Sequence, residues 1–209
     1  MKIIFDLDHT LYSTKRLYFT WVESLGEIGI KEELFERIFK ESKGGGDLYD
    51  KKIIFDLLIK EKPEIDCKLL EERWARSHDR SEELVYPDVL PFLGKFKNYD
   101  FYLLSYGRNE IQRYKIKRAN LEHFFKEIHI TRDIDKVSVV GEILDKTEKA
   151  VFVDDNPDVL AKVKGEYSEV ITVRINRGEG KHRDWPDNPE IDFSIKNLKQ
   201  LERILLTKL

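Results

Sequence analysis

The first ten residues constrain the fold of this 209-residue chain more than any other stretch. Residues 3–5 form a short apolar run, which ends abruptly at Asp6 and Asp8. A run of this kind predicts a strand that is buried on both faces, as the strands of parallel sheets are. Buried carboxylates need a cation beside them, and open α/β sheets bind ligands at the carboxyl ends of their strands. We therefore predict an acidic, metal-assisted site at the end of this first strand.

A second copy of the opening segment shows that the evidence for a functional site depends on the acidic residues. Residues 53–57 repeat the apolar run and its aspartate, but no second acid and no threonine follow. That copy lies in a charged stretch and predicts a core helix. Asp-x-Asp-x-Thr, formed by Asp6, Asp8 and Thr10, is a much stronger signal. It favours function over the alternative that Asp6 caps a turn and Asp8 is solvated.

The segment from Asp6 to Tyr12 resembles the first motif of the haloacid dehalogenase-like superfamily, whose members are mostly phosphatases. The resemblance implies that Asp6 is a nucleophile and that Asp8 is the general acid and base. It also implies three further motifs in order along the chain. A helical cap inserted after the first motif is expected as well.

The second motif is expected at the end of the next buried strand, where residues 101–104 lead into Ser105. We expect the Ser105 hydroxyl and the backbone N–H groups of Tyr106 and Gly107 to hold phosphoryl oxygens at a helix start. A small polar residue at a strand end is common. Its place directly after this run and before a glycine favours the functional interpretation. Thr10 is assigned to the same phosphate-binding set.

The third motif requires a lysine, and three lysines precede the last acidic pair. Lys115 and Lys117 fall within a predicted helix, where alternating charges usually form a solvated face. Lys136 follows a predicted strand and begins a helix, so it can reach the same edge of the sheet. We assign the phosphate-binding lysine to Lys136, although Val137 stands where the superfamily often has proline.

The fourth motif is the acidic end of the strand predicted at residues 150–153. Mg²⁺ is the cofactor we expect, because it is held by one or two carboxylates together with water and substrate oxygens. Asp155 is the predicted remote ligand, beside the Asp6 carboxylate and the Asp8 backbone carbonyl. Asp154 is expected to orient the lysine, and Asp158 to support the metal from further away.

Strands and helices alternate from residue 86 onward, which predicts an α/β fold with a doubly wound parallel sheet. Residues 14–85 show four helical patterns and no convincing strand. The predicted organisation is a Rossmann-like core formed by residues 1–13 and 86–209, with a four-helix cap domain at 14–85. Gly44–Gly46 is interpreted as a helix–helix connection, because it lacks the Lys-Ser/Thr of a phosphate loop.

Composition narrows the class of protein. A net charge of −3 gives no reason to expect a nucleic acid or membrane partner, and no segment is long enough to span a membrane. The single cysteine, Cys67, and an N-terminus that leads straight into a strand suggest a cytoplasmic protein without a signal peptide. Charged residues make up 37% of the chain, which suggests a thermophilic source. A monomer or a homodimer is expected.

The leading prediction is a Mg²⁺-dependent phosphatase that hydrolyses a small phosphorylated metabolite through an aspartyl-phosphate on Asp6. A phosphorylated protein side chain is disfavoured as the substrate, because a helical insertion of some seventy residues would obstruct a bulky molecule. Two alternatives stay open. A 2-haloacid dehalogenase would need the nucleophile but neither Asp8 nor the metal. A non-catalytic protein that binds a phosphorylated ligand would keep the site without turnover.

Overall fold

The computed structural model describes residues 1–46, 48–134, 136–144 and 149–208. The chain divides into two compact units, one formed by Met1–Lys15 with Glu82–Leu209 and the other by Arg16–Ser81. The larger unit contains the strands and every predicted site residue, and the smaller unit is helical. No helix within these described ranges is long and apolar enough to cross a membrane.

The larger unit is built on a six-stranded sheet in which all neighbouring strands are parallel. In chain order the strands are β1 Lys2–Phe5, β2 Asp100–Tyr106, β3 Glu127–Thr131, β4 Ala150–Asp154, β5 Ile171–Ile175 and β6 Phe193–Ile195. Their spatial order is β3-β2-β1-β4-β5-β6, which confirms the predicted doubly wound α/β fold. β1, β2 and β4 were predicted from the sequence, and β3 is the strand predicted before Lys136. β6 is three residues long at the sheet edge, too short to show a pattern.

The strand order reverses beside β1. The chain runs outward from β1 through β2 and β3, then returns to β4 on the other side of β1. Phe5 therefore lies level with Leu103 on one side and with Val153 on the other. The residues that follow β1 and β4 flank this switch point, which is where such sheets bind ligands.

Helices of the larger unit cover its sheet, and the smaller unit has helices of its own. The helices are α1 Thr14–Gly26, α2 Glu32–Glu41, α3 Lys51–Glu61, α4 Cys67–Ser77, α5 Val89–Lys95, α6 Asn109–Arg118, α7 Val137–Ile143, α8 Pro157–Glu166 and α9 Leu198–Thr207, with 3-10 helices at Ser81–Leu84 and Glu122–Phe124. On one face, Val140 of α7 and Leu160 of α8 pack with Ile4 and Phe152 in a fully buried cluster.

The smaller unit has an aromatic interior. The rings of Trp21 in α1 and Trp74 in α4 lie 3.9 Å apart between centroids, and Phe35 of α2 packs edge-on against Trp21 at 5.5 Å. Asp50 and Asp66 cap α3 and α4, because their side chains accept hydrogen bonds from backbone N–H groups of the first turns. These caps explain why the chain changes from loop to helix at residues 51 and 67.

Gly44 and Gly45 lie in the connection between α2 and α3, where both have positive φ. α2 comes directly before this connection and α3 directly after it, so its place in the chain is that of a helix–helix turn, as the sequence predicted. Residue 47 of the same connection lies outside the described residues.

Candidate active site

Three carboxylates meet at the switch point. Asp6 follows β1, and Asp154 and Asp155 stand at the end of β4. One carboxylate oxygen from each of the three lies within 4.8 Å of the others. Residues nearly 150 positions apart are therefore neighbours, because parallel strands deliver their carboxyl ends to one edge. The sequence predicted this convergence from the strand pattern.

Lys136 lies between two of these carboxylates. Its Nζ donates to Asp6 Oδ1 at 2.6 Å and to Asp154 Oδ2 at 2.8 Å, and the residue is only 3% exposed. Lys136 is the N-cap residue of α7 and has a left-handed backbone with φ of 58°. The structure thus brings the predicted lysine to the predicted nucleophile, and Asp154 contacts the lysine as expected.

Burial and neighbouring charge decide the ionisation of this group. Burial, opposed by Lys136 and reinforced by Asp154 and Asp8, raises the pKa of Asp6 to about 6. Burial also raises the pKa of Asp154, against the charge of Lys136. Burial by itself lowers the pKa of Lys136, but the two carboxylates outweigh it and hold that pKa above its ordinary value. The lysine therefore stays charged.

The donor set fits a divalent cation. Three carboxylates and one ammonium group leave an excess of two negative charges in a mostly buried cluster. Lys136 takes one oxygen of Asp6 and leaves the other, and oxygen ligands are the kind that Mg²⁺ prefers. Asp6 and Asp155 are the residues that would hold the ion.

Asp8 has different partners. Lys115 Nζ donates to its Oδ1 at 2.5 Å, Gln112 Nε2 donates to its Oδ2 at 2.6 Å, and the Thr14 hydroxyl donates to Oδ1. Burial raises the pKa of Asp8, but Lys115 and the two hydrogen-bond donors outweigh it and lower the pKa to about 2. The Asp8 carboxylate is not a member of the three-carboxylate cluster.

The sequence prediction for Lys115 was wrong. We expected a solvated face, but Lys115 is 3% exposed and forms an ion pair with Asp8, while Lys117 is exposed as predicted. The spacing contained a signal for this, because Ile111 and Lys115 are four residues apart on α6 and share its buried face. A lysine placed among the apolar positions of an amphipathic helix indicates a buried partner.

Gln112 links the first and second motifs. Its Nε2 also donates to Ser105 Oγ at 2.6 Å and to the Tyr106 carbonyl at 3.1 Å. A Cβ at Gly107 would lie 2.7 Å from Gln112 Cγ, so any side chain at this position would displace the glutamine. Gln112 shares the buried face of α6 with Lys115, and it was not among the predicted site residues.

The second-motif prediction needs one correction. Ser105 is fully buried at the end of β2, as expected. The N–H of Gly107, however, donates to the Thr131 carbonyl at 2.9 Å. The pairing of β2 with β3 thus continues one residue beyond Tyr106, and the Gly107 amide is not available for a phosphoryl oxygen in this conformation.

The motifs and their geometry agree with a comparison of sequence. A sequence model of haloacid dehalogenase-like hydrolases matches residues 3–161. The chain belongs to the haloacid dehalogenase-like hydrolase family. A search of curated protein sequences found no significant match.

Solved structures of this family share the fold over nearly the whole chain. A protein from Burkholderia xenovorans described as a haloacid dehalogenase-like hydrolase is 22% identical, with 97% of this chain and 95% of that chain covered and a TM-score of 0.77. An L-2-haloacid dehalogenase from Xanthobacter autotrophicus is 15% identical, with 100% and 99% covered and a TM-score of 0.65. A predicted phosphoglycolate phosphatase from Haemophilus somnus is 16% identical, with 97% and 96% covered and a TM-score of 0.60. At these identities the likeness shows the fold alone.

Two further residues assigned from the family motifs lie apart from the cluster. Thr10 is fully buried, and its hydroxyl has no hydrogen-bond partner among the residues that the structure describes. Asp158 is exposed in the first turn of α8, where its backbone N–H donates to the Asn156 side chain. Asp158 is not part of the three-carboxylate cluster, so its support of the metal stays a prediction.

A long loop completes the site of this haloacid dehalogenase-like hydrolase. We call residues 176–192, between β5 and β6, the strap. Glu179 of the strap accepts hydrogen bonds from Ser13 at 2.7 Å and from the Tyr86 hydroxyl, and lies 3.3 Å from His9 Nδ1. These donors lower the pKa of Glu179 against its burial. His9, which stands between the two acids of the first motif, therefore contacts the strap.

The strap also reaches the two ends of the site. Arg177 donates to the Thr10 carbonyl at 2.9 and 3.1 Å, and His182 lies 3.1 Å from Asp155 Oδ2. A Cβ at Gly180, where φ is 83°, would lie 2.8 Å from the His9 ring. Sequence reasoning missed these contacts. The only available signal was the length of the loop, since most connections in compact domains are much shorter.

Proposed function

We propose that this haloacid dehalogenase-like hydrolase is a Mg²⁺-dependent phosphatase that acts on a small phosphorylated metabolite through an aspartyl-phosphate on Asp6. One observation carries the proposal. Asp8, two residues from the nucleophile, is held by Lys115, Gln112 and Thr14 rather than left in solvent. Hydrolysis of a phosphate ester with an alkoxide leaving group needs such a carboxyl group. It has to deliver a proton to the leaving oxygen and later remove a proton from the attacking water.

In the first step the Asp6 carboxylate attacks phosphorus, and the bond from phosphorus to the leaving oxygen breaks. Lys136 holds one Asp6 oxygen at 2.6 Å, which orients the carboxylate and offsets its repulsion from the phosphoryl group. Ser105 is placed to accept or donate a hydrogen bond at the end of β2. When bound by Asp6 and Asp155, Mg²⁺ would supply charge neutralisation of the phosphoryl oxygens.

Asp8 serves both halves of this reaction. It gives a proton to the leaving oxygen, and then takes a proton from the water that breaks the aspartyl-phosphate. The pKa of about 2 in the substrate-free protein suits the second role. For the first role the pKa of Asp8 has to rise, and the negative charge of a nearby phosphoryl group has that effect.

The second candidate is 2-haloacid dehalogenation, which the fold match to an L-2-haloacid dehalogenase keeps open. A halide leaves without a proton, so dehalogenation does not require Asp8 as a general acid. It also has no use for the excess negative charge of the three-carboxylate cluster. Both features favour the phosphatase.

Small substrates are favoured by the strap. Arg177 and Glu179 contact the first motif from the same unit, and they occupy space beside Thr10 and His9. A phosphorylated metabolite fits such a site better than a phosphorylated protein side chain.

A substrate screen tests the proposal. Purified protein is given p-nitrophenyl phosphate and a panel of phosphorylated metabolites, with Mg²⁺ or with a chelator. In parallel, 2-haloacids are tested for halide release without metal. We expect phosphate release that requires Mg²⁺. Halide release without metal would show that the protein is a dehalogenase and not a phosphatase. If no substrate is turned over, a protein that only binds phosphorylated ligands is favoured.

The variant Asp155→Ala tests the metal assignment. It should lose Mg²⁺-dependent turnover and keep the fold, because it removes a crowded carboxylate and opens no apolar cavity. Full activity of this variant at limiting Mg²⁺, with an unchanged circular dichroism spectrum, would show that Asp155 is not a ligand.

A further inference from the structure

His182 of the strap contacts Asp155, and this contact leads beyond the family motifs. The inference rests on the proposed metal site and concerns how one of its ligands is oriented. His182 stands 27 residues after Asp155 in sequence, and none of the four motifs contains it.

The contact has a defined direction. His182 Nδ1 lies 3.1 Å from Asp155 Oδ2, and the histidine is 8% exposed. An ionised carboxylate can only accept, so Nδ1 carries the hydrogen. The bond takes Oδ2 of Asp155 and leaves the second oxygen for a cation.

The histidine is anchored from several sides. Its backbone carbonyl accepts from Arg174 at 2.7 Å and from the Trp185 N–H at 3.1 Å. Its ring packs edge-on against the Trp185 ring at 4.7 Å. Arg174 is a buried residue of β5 and also pairs with Asp187 at 2.5 Å. The position of the imidazole is thus set by the sheet as well as by the loop.

The other ring nitrogen gives a second observation. Nε2 of His182 is buried and has no hydrogen-bond partner in the described part of the chain. A buried polar atom without a partner costs free energy. The position of the ring therefore leaves one of its nitrogens unsatisfied while the other bonds to Asp155. We interpret the contact with Asp155 as the interaction that this position serves.

We propose that His182 is a positioning residue of the metal site, which holds Asp155 by one oxygen so that the other faces the divalent cation. Carboxylates and histidines that bind metals are generally oriented by such outer hydrogen bonds. The strap links this role to the first motif, since Glu179 of the same loop contacts His9 and Ser13.

Mg²⁺ binding to the 209-residue protein, measured by isothermal titration calorimetry without substrate, tests the proposal. His182→Ala should weaken Mg²⁺ binding by about 10- to 100-fold. His182→Asn should restore much of the affinity, because its amide nitrogen can take the place of Nδ1. His129→Ala is the matched control, since His129 also contacts a carboxylate, that of Glu127, but on the edge strand β3. It should bind Mg²⁺ as the wild type does.

Kinetics give an independent readout. At saturating Mg²⁺, His182→Ala should recover most of its kcat, because only the affinity for the ion is impaired. Unchanged Mg²⁺ affinity in His182→Ala, or a loss of kcat that Mg²⁺ does not recover, would overturn the positioning role.

A wild-type measurement covers the case in which the variants fail to fold. The imidazole resonances of His182 should shift as Mg²⁺ is added, and those of His129 should not. Absence of this shift while Mg²⁺ binds would overturn the inference. A protein that binds Mg²⁺ with the His182 shift but hydrolyses no phosphate ester would contradict the proposed function alone.

Discussion

Asp6 and Asp8 are two residues apart in sequence, yet they lie in opposite electrostatic environments. Asp6 shares its lysine, Lys136, with a second buried carboxylate, and its pKa is raised to about 6. Asp8 has a lysine of its own, Lys115, together with two further donors, and its pKa is lowered to about 2. The side chains are chemically identical, so the difference comes from burial and from the charges and donors around each carboxylate.

The comparison shows how one motif supports two roles. The Asp6 cluster carries excess negative charge that a divalent cation would offset, as a nucleophile approaching a phosphoryl group requires. The Asp8 network is already neutralised by donors and needs no metal. In the usual pairing of two catalytic acids, the general acid has the higher pKa and the nucleophile the lower one. The substrate-free protein has the opposite order, so the proposed roles require the bound cation and phosphoryl group to reverse it. Four substitutions test this division.

The largest effect is expected from Asp6→Asn. The carboxamide is not a nucleophile, so turnover should fall on the order of 10⁵-fold or more, as when the nucleophile of other hydrolases is removed. Steady-state phosphate release measures the loss, and mass spectrometry of acid-quenched protein should show no added phosphoryl group. A phosphorylated Asp6→Asn variant would assign the nucleophile to another residue.

Asp8→Asn should cost about 10²- to 10⁴-fold, the usual contribution of general acid–base catalysis. Formation and breakdown of the phospho-enzyme should both slow, while Mg²⁺ binding stays, because the backbone carbonyl remains. Rapid-quench kinetics separate the two steps. With p-nitrophenyl phosphate, whose leaving group needs little help from a proton, only breakdown should remain slow. Wild-type rates with all substrates would remove the distinction between the two acids.

Lys136→Met removes the ammonium group that Asp6 and Asp154 share. We expect kcat to fall about 10²- to 10³-fold, the usual cost of losing one electrostatic donor in a site. Mg²⁺ binding should become tighter, because the cluster then lacks its only close cation among the described residues. Calorimetry measures this change. Weaker Mg²⁺ binding would mean that Lys136 shapes the metal ligands more than it offsets their charge.

Lys115→Met has the smallest expected effect of the four. The Asp8 carboxylate keeps Gln112 and Thr14, so the loss should be about tenfold, a part of the whole acid–base contribution. Mg²⁺ affinity should not change, in contrast to Lys136→Met. Lys117→Met is the matched control, because Lys117 lies on the exposed side of the same helix and should be silent. Equal effects of Lys115→Met and Lys117→Met would contradict the Asp8 network.

Much of the cluster was predictable because its signal is local. An apolar run that ends in acids occurs at residues 3–8 and again at 150–155, and both runs form strands of the parallel sheet. Once the alternation of strands and helices is recognised, handedness and parallel pairing bring these ends together without further information. Lys136 was found in the same way, since it stands between a strand and a helix.

The hydrogen-bond network around Asp8 could be predicted from the sequence only in part. Lys115 and Gln112 share the buried face of α6, but no pattern in the chain states which carboxylate they meet. Charged residues in helices are usually solvated, and that general rule led to the wrong prediction for Lys115. Its partner Asp8, 107 residues earlier in sequence, decides the outcome.

The sequence by itself determined the α/β class, the acidic site at the switch point and its lysine, because strand periodicity and strand ends are properties of short segments. Only the tertiary structure decided that Lys115 neutralises Asp8, that the Gly107 amide is taken by Thr131, and that His182 holds Asp155. Each of these contacts joins segments that are distant in the chain. Their distances depend on side-chain packing across the whole unit, which no local pattern records.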